Sequence, residues 1–379
     1  MSISGMAVNT KFSLMRRASE LVQIPYDCVC VITTFLESSE DFLNLLLTNK
    51  MFKECFEIKD HLWGSRNVLF VLKRRLKGTR LYVHRLDTYD FRLTDVNFKE
   101  AFPNAKDFYL TEKSHARTII NDFKSSIHIL NLCDVDIDGH LMEGICESLK
   151  MSKEFYHLDI SDCDAKEEDF RLFVNCGHLQ HLSLPSIGGS VDDFLLSVLF
   201  NHNLQELKTT HWTLGQTSFK ILGEILKTKT LKCLDFICCD ICEDINFIEF
   251  ANALQQNIGL EKLNIQNIIF TDLEIIALFK AVGEHQSIKI LDIAGGSKRS
   301  IDVSKAVTKA LGQTKTLSYL KLSESVFDVV EIARALAINK TLKTFCMESN
   351  EISKRTMECF LDILKNNNTL NNLFLNYCS

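Results

Sequence analysis

His157, His181 and Glu206 stand 24 and 25 residues apart, with Asp159 two residues beyond the first histidine. Imidazoles and carboxylates brought side by side have the chemistry to hold a metal or to answer a change of pH near neutrality. A second group, Lys262, Asp292, Tyr319 and Lys321, mixes charges with an aromatic ring, the composition of interface anchors. Cys239 and Cys242 form the one C-x-x-C of the chain. A zinc site of that type needs a second pair, and none is present. Gly-rich phosphate loops, G-x-S-x-G and H-E-x-x-H are likewise absent from the sequence. No catalytic residue, metal or cofactor is therefore expected. The question becomes which architecture would place residues about 25 apart next to one another.

Composition narrows the classes. The chain has 379 residues, 46% of them hydrophobic, enough to bury a core. Its net charge of −6 argues against a general nucleic-acid binder. No apolar run approaches the roughly 18 residues of a membrane helix, and residues 1–20 lack the apolar stretch of a secretory signal. Those twenty residues read as a flexible tail. The 14 cysteines are scattered, which fits reduced thiols serving as small buried hydrophobes. A cytoplasmic protein follows, with the nucleus as a second possible compartment.

One pattern answers the spacing question. It appears as IHILNL at 127, FYHLDI at 155, LQHLSL at 179, LQELKT at 204, LKCLDF at 231, LEKLNI at 260, IKILDI at 288, LSYLKL at 317, LKTFCM at 342 and LNNLFL at 370. A weaker copy, AKDFYL, starts at 105. Counting from the first apolar residue, positions 4 and 6 alternate with polar 3, 5 and 7, the signature of a short strand with one buried face. Between strands the period changes. Val303, Ala306, Val307, Ala310 and Leu311 follow i, i+3, i+4, i+7, i+8, and Met357, Phe360, Leu361 and Leu364 follow i, i+3, i+4, i+7. Both predict one-sided apolar helices. A strand and a helix in every unit of 24 to 29 residues stack the strands in parallel with the helices outside.

Position 9 is Cys163, Cys239, Asn350 and Cys378 in four copies, as expected of a compact buried partner for the turning backbone. Val135, Ile187, Trp212, Ile268, Gly296 and Ser325 occupy it elsewhere and predict an irregular ladder. The pattern resembles the leucine-rich repeat family, LxxLxLxx(N/C)xL, in its long ribonuclease-inhibitor-like form. The resemblance covers residues 105–379 in about eleven repeats and implies an α/β solenoid. This would be a horseshoe with parallel strands on the concave face and helices on the convex one. No full C-terminal cap is expected, since the last copy reaches Ser379 just after its strand. Positions 3 and 5 place His157, Asp159, His181, Glu206, Lys208, Lys262, Asp292, Tyr319 and Lys321 on the concave face, the candidate surface for a target protein.

Residues 24–63 do not follow the repeat. Ile24-Pro25 opens an apolar pattern through Val29, Ile32, Phe35 and Leu36. Asp41-Phe42, Asn49-Lys50, Phe52 and Leu62-Trp63 follow. Three short helices fit, with more apolar surface than so small a unit hides alone. The segment resembles an F-box, with Ile in place of the usual Leu before Pro25 and one extra residue in the ESSED loop. The resemblance implies that residues 21–63 dock on the adaptor subunit of a cullin–RING ubiquitin ligase through Ile24, Pro25, Val29, Ile32, Phe35, Leu36 and Phe42. The other reading of the same residues is a helical cap that seals the solenoid's apolar end. Residues 64–104 form a basic linker and cap region, with Arg66, Lys73, Arg74, Arg75, Lys77, Arg80 and Arg85 read as a solvated helix face.

Two functions remain open from the sequence. One is a substrate-recognition subunit of such a ligase, monomeric outside the complex, holding an unidentified target protein. The other is a free-standing leucine-rich scaffold or inhibitor. Neither implies an enzyme, a nucleic acid or a membrane.

Overall fold

The computed structural model describes residues 85–87, 98–101, 105–165, 178–187, 189–228, 230–241, 247–294, 299–323, 329–350 and 354–375. The F-box-like segment 21–63, with all seven of its candidate docking residues, lies outside them, as do Cys242, Gly296, Ser325 and Cys378. The chain divides into two compact units, 1–122 and 123–379.

In the first unit, strand β1 (Arg85–Asp87) pairs in parallel with β2 (Asp107–Leu110), with Leu86 opposite Phe108. Between them lies the short helix α1 (Phe98–Ala101), and α2 (Lys113–Phe123) follows. The stretch 64–104, read from sequence as a basic linker and cap region, thus contains a strand with the pairing of a repeat. Its apolar signal, a lone Leu86 among polar neighbours, was too short to register as a copy of the pattern.

The second unit is a strand–helix solenoid. Its strands are β3 (Ile129–Ile137), β4 (His157–Ala165), β5 (His181–Leu184), β6 (Glu206–Thr210), β7 (Thr213–Leu214), β8 (Cys233–Ile237), β9 (Asp240–Ile241), β10 (Lys262–Asn264), β11 (Ile290–Asp292), β12 (Tyr319–Lys321), β13 (Thr344–Cys346) and β14 (Asn372–Phe374). All but β7 and β9 join one parallel sheet in chain order, while β7 and β9 pair separately. Register follows the pattern without slippage from β4 onward: Leu158, Leu182, Leu207, Leu234, Leu263, Leu291, Leu320, Phe345 and Leu373 lie opposite one another in turn. The helices are α3 (Gly139–Met151), α4 (Asp192–Leu199), α5 (Gln216–Lys227), α6 (Phe247–Gln256), α7 (Asp272–Glu284), α8 (Ile301–Gln313), α9 (Val329–Ile338) and α10 (Lys354–Asn366), and from α4 on each packs on the next. Strands lie about 4.8 Å apart and packed helices about 8–10 Å apart. That mismatch makes the strand side of this unit the inner one.

Burial explains the repeat. The residue at position 1 of each copy from Ile127 to Leu342 is at most 2% exposed, and positions 4 and 6 face the helices. Val303, Val307, Ala310 and Leu311 of α8 are buried as the helical spacing predicts. In α10 the face differs from the expected one. Phe360 and Ile363 are buried, whereas Met357 and Leu361 are exposed. The i, i+3 pair that continues to the buried Asn367 sets the phase of this helix, and the stripe read from Met357 is rotated away from it.

Two devices recur at the turns of the repeats. At position 8, Asp134, His211, Cys238, Asn267 and Ser349 all have φ between 54° and 56°. At four of them this left-handed residue follows the strand, while Asp134 lies within β3 where its register with β4 shifts; position 9 is buried next to it. There the Cys163 thiol donates to the Leu132 carbonyl (3.2 Å), and the Asn350 amide donates to that of Leu322 (3.2 Å). Trp212, expected to interrupt this ladder, continues it: its indole N–H donates to the Pro185 carbonyl at 2.9 Å. The second device sits at the helix-to-strand corner, three residues before position 1. Asn201, Asn257, Asn339 and Asn367 donate their amide N–H groups back to Leu179, Leu226, Leu311 and Leu336 carbonyls. The Oδ1 of Asn257, Asn339 and Asn367 accepts the two backbone N–H groups that lead into the next strand, and that of Asn201 accepts the Asn203 N–H. A buried corner backbone is thereby satisfied on both sides.

Candidate functional site

Because side chains alternate across a strand, positions 3 and 5 point away from the helices. Register brings His157 opposite His181, His181 opposite Glu206, and Glu206 opposite Cys233. The two histidine rings lie 5.3 Å apart, tilted by 32°. His181 Nδ1 meets Glu206 Oε2 at 2.8 Å, and Lys208 Nζ meets Glu206 Oε1 at 2.6 Å. Burial by itself would push the Glu206 carboxyl up. The hydrogen bonds from Lys208 and His181 outweigh it and hold the group at about 2. The same bond raises the Lys208 ammonium against the opposing effect of its own burial. Glu206 is thus a fixed anion clamped between two donors. His157 goes the other way: burial, and then the neighbouring His181, favour its neutral form.

Asp159 sits one pleat along from His157. Its Oδ1 accepts from the Ser161 hydroxyl at 2.8 Å and the Ser161 N–H at 3.1 Å. Asn131 lies directly opposite on β3.

The second candidate group is assembled by β8 to β12. Lys262 Nζ reaches Asp235 Oδ2 at 2.8 Å, and Lys321 Nζ stands 3.8 Å from Asp292 Oδ2, which also accepts from Gln266 at 2.9 Å. Asp292 is only 7% exposed and Asp235 4%. Burial pushes the Asp292 carboxyl up, partly opposed by the Ala294 N–H and Lys321. Asp235 received no role from sequence; its place at position 5, between Lys208 and Asn264, was the available signal. Tyr319 accepts from the Cys346 thiol at 3.6 Å, and burial raises its phenol. All nine sheet-face residues named from sequence therefore lie in register on one face, in two groups. Asp292 offers that face little surface.

Among the described residues, no three His, Cys, Asp or Glu side chains converge to hold a metal, and no helix is long and apolar enough to cross a membrane. Cys239 is buried and its thiol is pushed up to about 11 by that burial, a poor nucleophile.

The fold is a strand–helix solenoid whose open sheet face carries charged side chains. No family model matches the chain, and no curated protein does. Among solved structures, an internalin (InlF) from Listeria monocytogenes is similar at 16% identity and a TM-score of 0.43, over 74% of this chain and 71% of that one. Nothing is drawn from so distant a likeness.

Proposed function

We propose that this protein binds a partner protein on the inner sheet face of its repeats, and that it serves as the substrate-recognition subunit of a cullin–RING ubiquitin ligase. The observation that carries the first part is the clamped row of His181, Glu206 and Lys208, continued by Lys262–Asp235 and Lys321–Asp292. Charges pre-organised on a rigid, helix-free sheet confer specificity for a complementary surface while needing little reorganisation on binding. The second part rests on the F-box-like residues Ile24, Pro25, Ile32, Phe35, Leu36 and Phe42 directly ahead of the array. The protein itself performs no chemistry in this reading; it raises the local concentration of target at the ligase. Cytoplasm and nucleus are the compartments that fit.

Purified adaptor subunit should be captured by the wild-type chain and not by a Pro25→Ala/Ile32→Asp variant whose repeats still melt normally. Failure of folded wild type to bind the adaptor would leave a free-standing scaffold, with residues 21–63 as its cap. A photo-crosslinking residue at Tyr319 should give defined protein adducts in cells that the same residue at Lys305, on helix α8, does not. Equal labelling from both positions would remove the sheet face as the binding surface.

A further inference from the structure

The charges of the inner face are mostly spent on one another. Glu206 holds both His181 and Lys208, Asp235 holds Lys262, and Asp292 holds Lys321 and Gln266. The corner formed by β3, β4 and β5 differs. Among the described residues, the Asp159 carboxylate commits only Oδ1, to Ser161, and the His157 imidazole makes no hydrogen bond, its backbone N–H alone donating to the His128 carbonyl. Its ring lies against His181, whose orientation is set by Glu206. Opposite Asp159 stands the amide of Asn131, and opposite His157 stands Ile129. From sequence alone this corner was a row of solvated polar residues. The structure makes it an acceptor-rich patch: a carboxylate oxygen, an amide and an imidazole with no side-chain hydrogen bond, beside the apolar Ile129.

We propose that Asn131, Asp159 and the His157–His181 pair receive an arginine side chain of the partner protein, and that protonation of His157 closes this site. The inference rests on the sheet-face binding reading and adds its chemistry. A planar guanidinium suits this patch better than an ammonium. It donates to a carboxylate and an amide in one plane and stacks on a neutral imidazole with its face. The formal charges that act on His157 are Asp159, Glu206 and Lys208, with the Lys208 charge held by Glu206, and farther along β3 and β4 stand only the exposed carboxylates Asp134, Asp136, Asp162 and Asp164. The remainder is negative while His157 is neutral. The Cys133 thiol on β3 and Ser183 on β5 add no charge. Once His157 is protonated, its charge opposes the guanidinium at contact distance, and His181 beside it offers no relief. A bound cation lowers the proton affinity of His157, so by linkage binding must weaken as pH falls.

The test uses the full chain and a fluorescently labelled, end-blocked triarginine peptide at physiological salt, read by anisotropy from pH 7.5 to 5.0. Wild type should bind severalfold more weakly at pH 5.0 than at 7.5; a one-unit drop in the His157 equilibrium on binding gives at most about tenfold, and less at a pH not far below both values. His157→Gln should bind more weakly than wild type at pH 7.5, because the stacking ring is gone, and should lose the pH dependence. Asp159→Asn should lose at least about fivefold at pH 7.5, and Asn131→Ala should lose less. Triarginine should outbind trilysine. The idea is overturned by binding that Asp159→Asn leaves intact, by a pH dependence that survives His157→Gln, by equal affinity for trilysine, or by no binding. If the peptide fails while Tyr319 still crosslinks a partner, only the arginine site is lost. If both fail, the sheet-face reading falls with it.

Discussion

His285 occupies the corner position that is Asn in four other repeats. Its Nδ1 accepts the backbone N–H groups of Ser287 and Ile288, both at 3.1 Å, but its buried Nε2 meets no partner. Burial drives the ring down to about 4. The folded protein therefore binds the proton less readily than the unfolded chain. The stability this represents is complete above about pH 6.5 and is lost as pH falls toward 4. His285→Asn should restore the donor to the preceding repeat and remove that pH dependence. We expect a gain of about 1 kcal/mol at pH 7 and a larger one at pH 5, read from urea midpoints; a loss at pH 5 would contradict the account. Glu206 behaves oppositely in origin and alike in sign. Its carboxyl, held at about 2, contributes stability above the ordinary carboxylate range that fades as pH drops toward 2. Glu206→Gln should cost about 1–2 kcal/mol at pH 7 and flatten the acid limb of the stability curve.

At the level of elements, strands and helices are joined by corners whose backbone would otherwise be buried without partners. Asn339 serves three: Leu311 O on one side, Thr341 N and Leu342 N on the other. Asn339→Ala leaves those groups unsatisfied and should destabilise by about 2–4 kcal/mol in chemical denaturation, well above a surface Asn→Ala. Helix spacing has its own limit. A Cβ on Gly283 of α7 would stand 3.0 Å from Ala310 Cα and 3.3 Å from its Cβ on α8. Gly283→Val must push the two helices apart or distort α8, and should cost more than about 2 kcal/mol. An unchanged melting temperature would mean that the helices are not held at that distance. The corner Asn was legible in the sequence, since N-x-x-L precedes the copies at 204, 260, 342 and 370. It stands three residues ahead of position 1, outside the leucine pattern that defines the repeat. The left-handed residue at position 8 had no such signal: Asp, His, Cys, Asn and Ser share no chemistry, and only backbone geometry unites them.

For the second unit as a whole, a solenoid's stability is a sum of neighbour interfaces, so its interior repeats are held from both sides and its last strand from one. In β14, Asn372 and Phe374 are exposed, whereas the equivalent β11 residues Ile290 and Asp292 are half-buried and buried. Backbone amides of β6 to β12 should exchange most slowly, and those of β14 several orders of magnitude faster. Uniform protection across the sheet would indicate a globally cooperative unit instead. The architecture was set by the sequence alone. Period 2 at six residues and period 3.6 between them, repeated every 24 to 29 residues, leave one way to bury every leucine. Which face of each strand is open followed from the same alternation, and so did the lateral row of His157, His181 and Glu206. Tertiary structure decided what those residues do to each other. It chose the partner of Glu206, the burial of Asp235 and Asp292, the rescue of position 9 by Trp212, and the rotated face of α10. These depend on rotamers, distances and the phase of packed helices. Such quantities are shared between repeats and written in no single copy of the pattern.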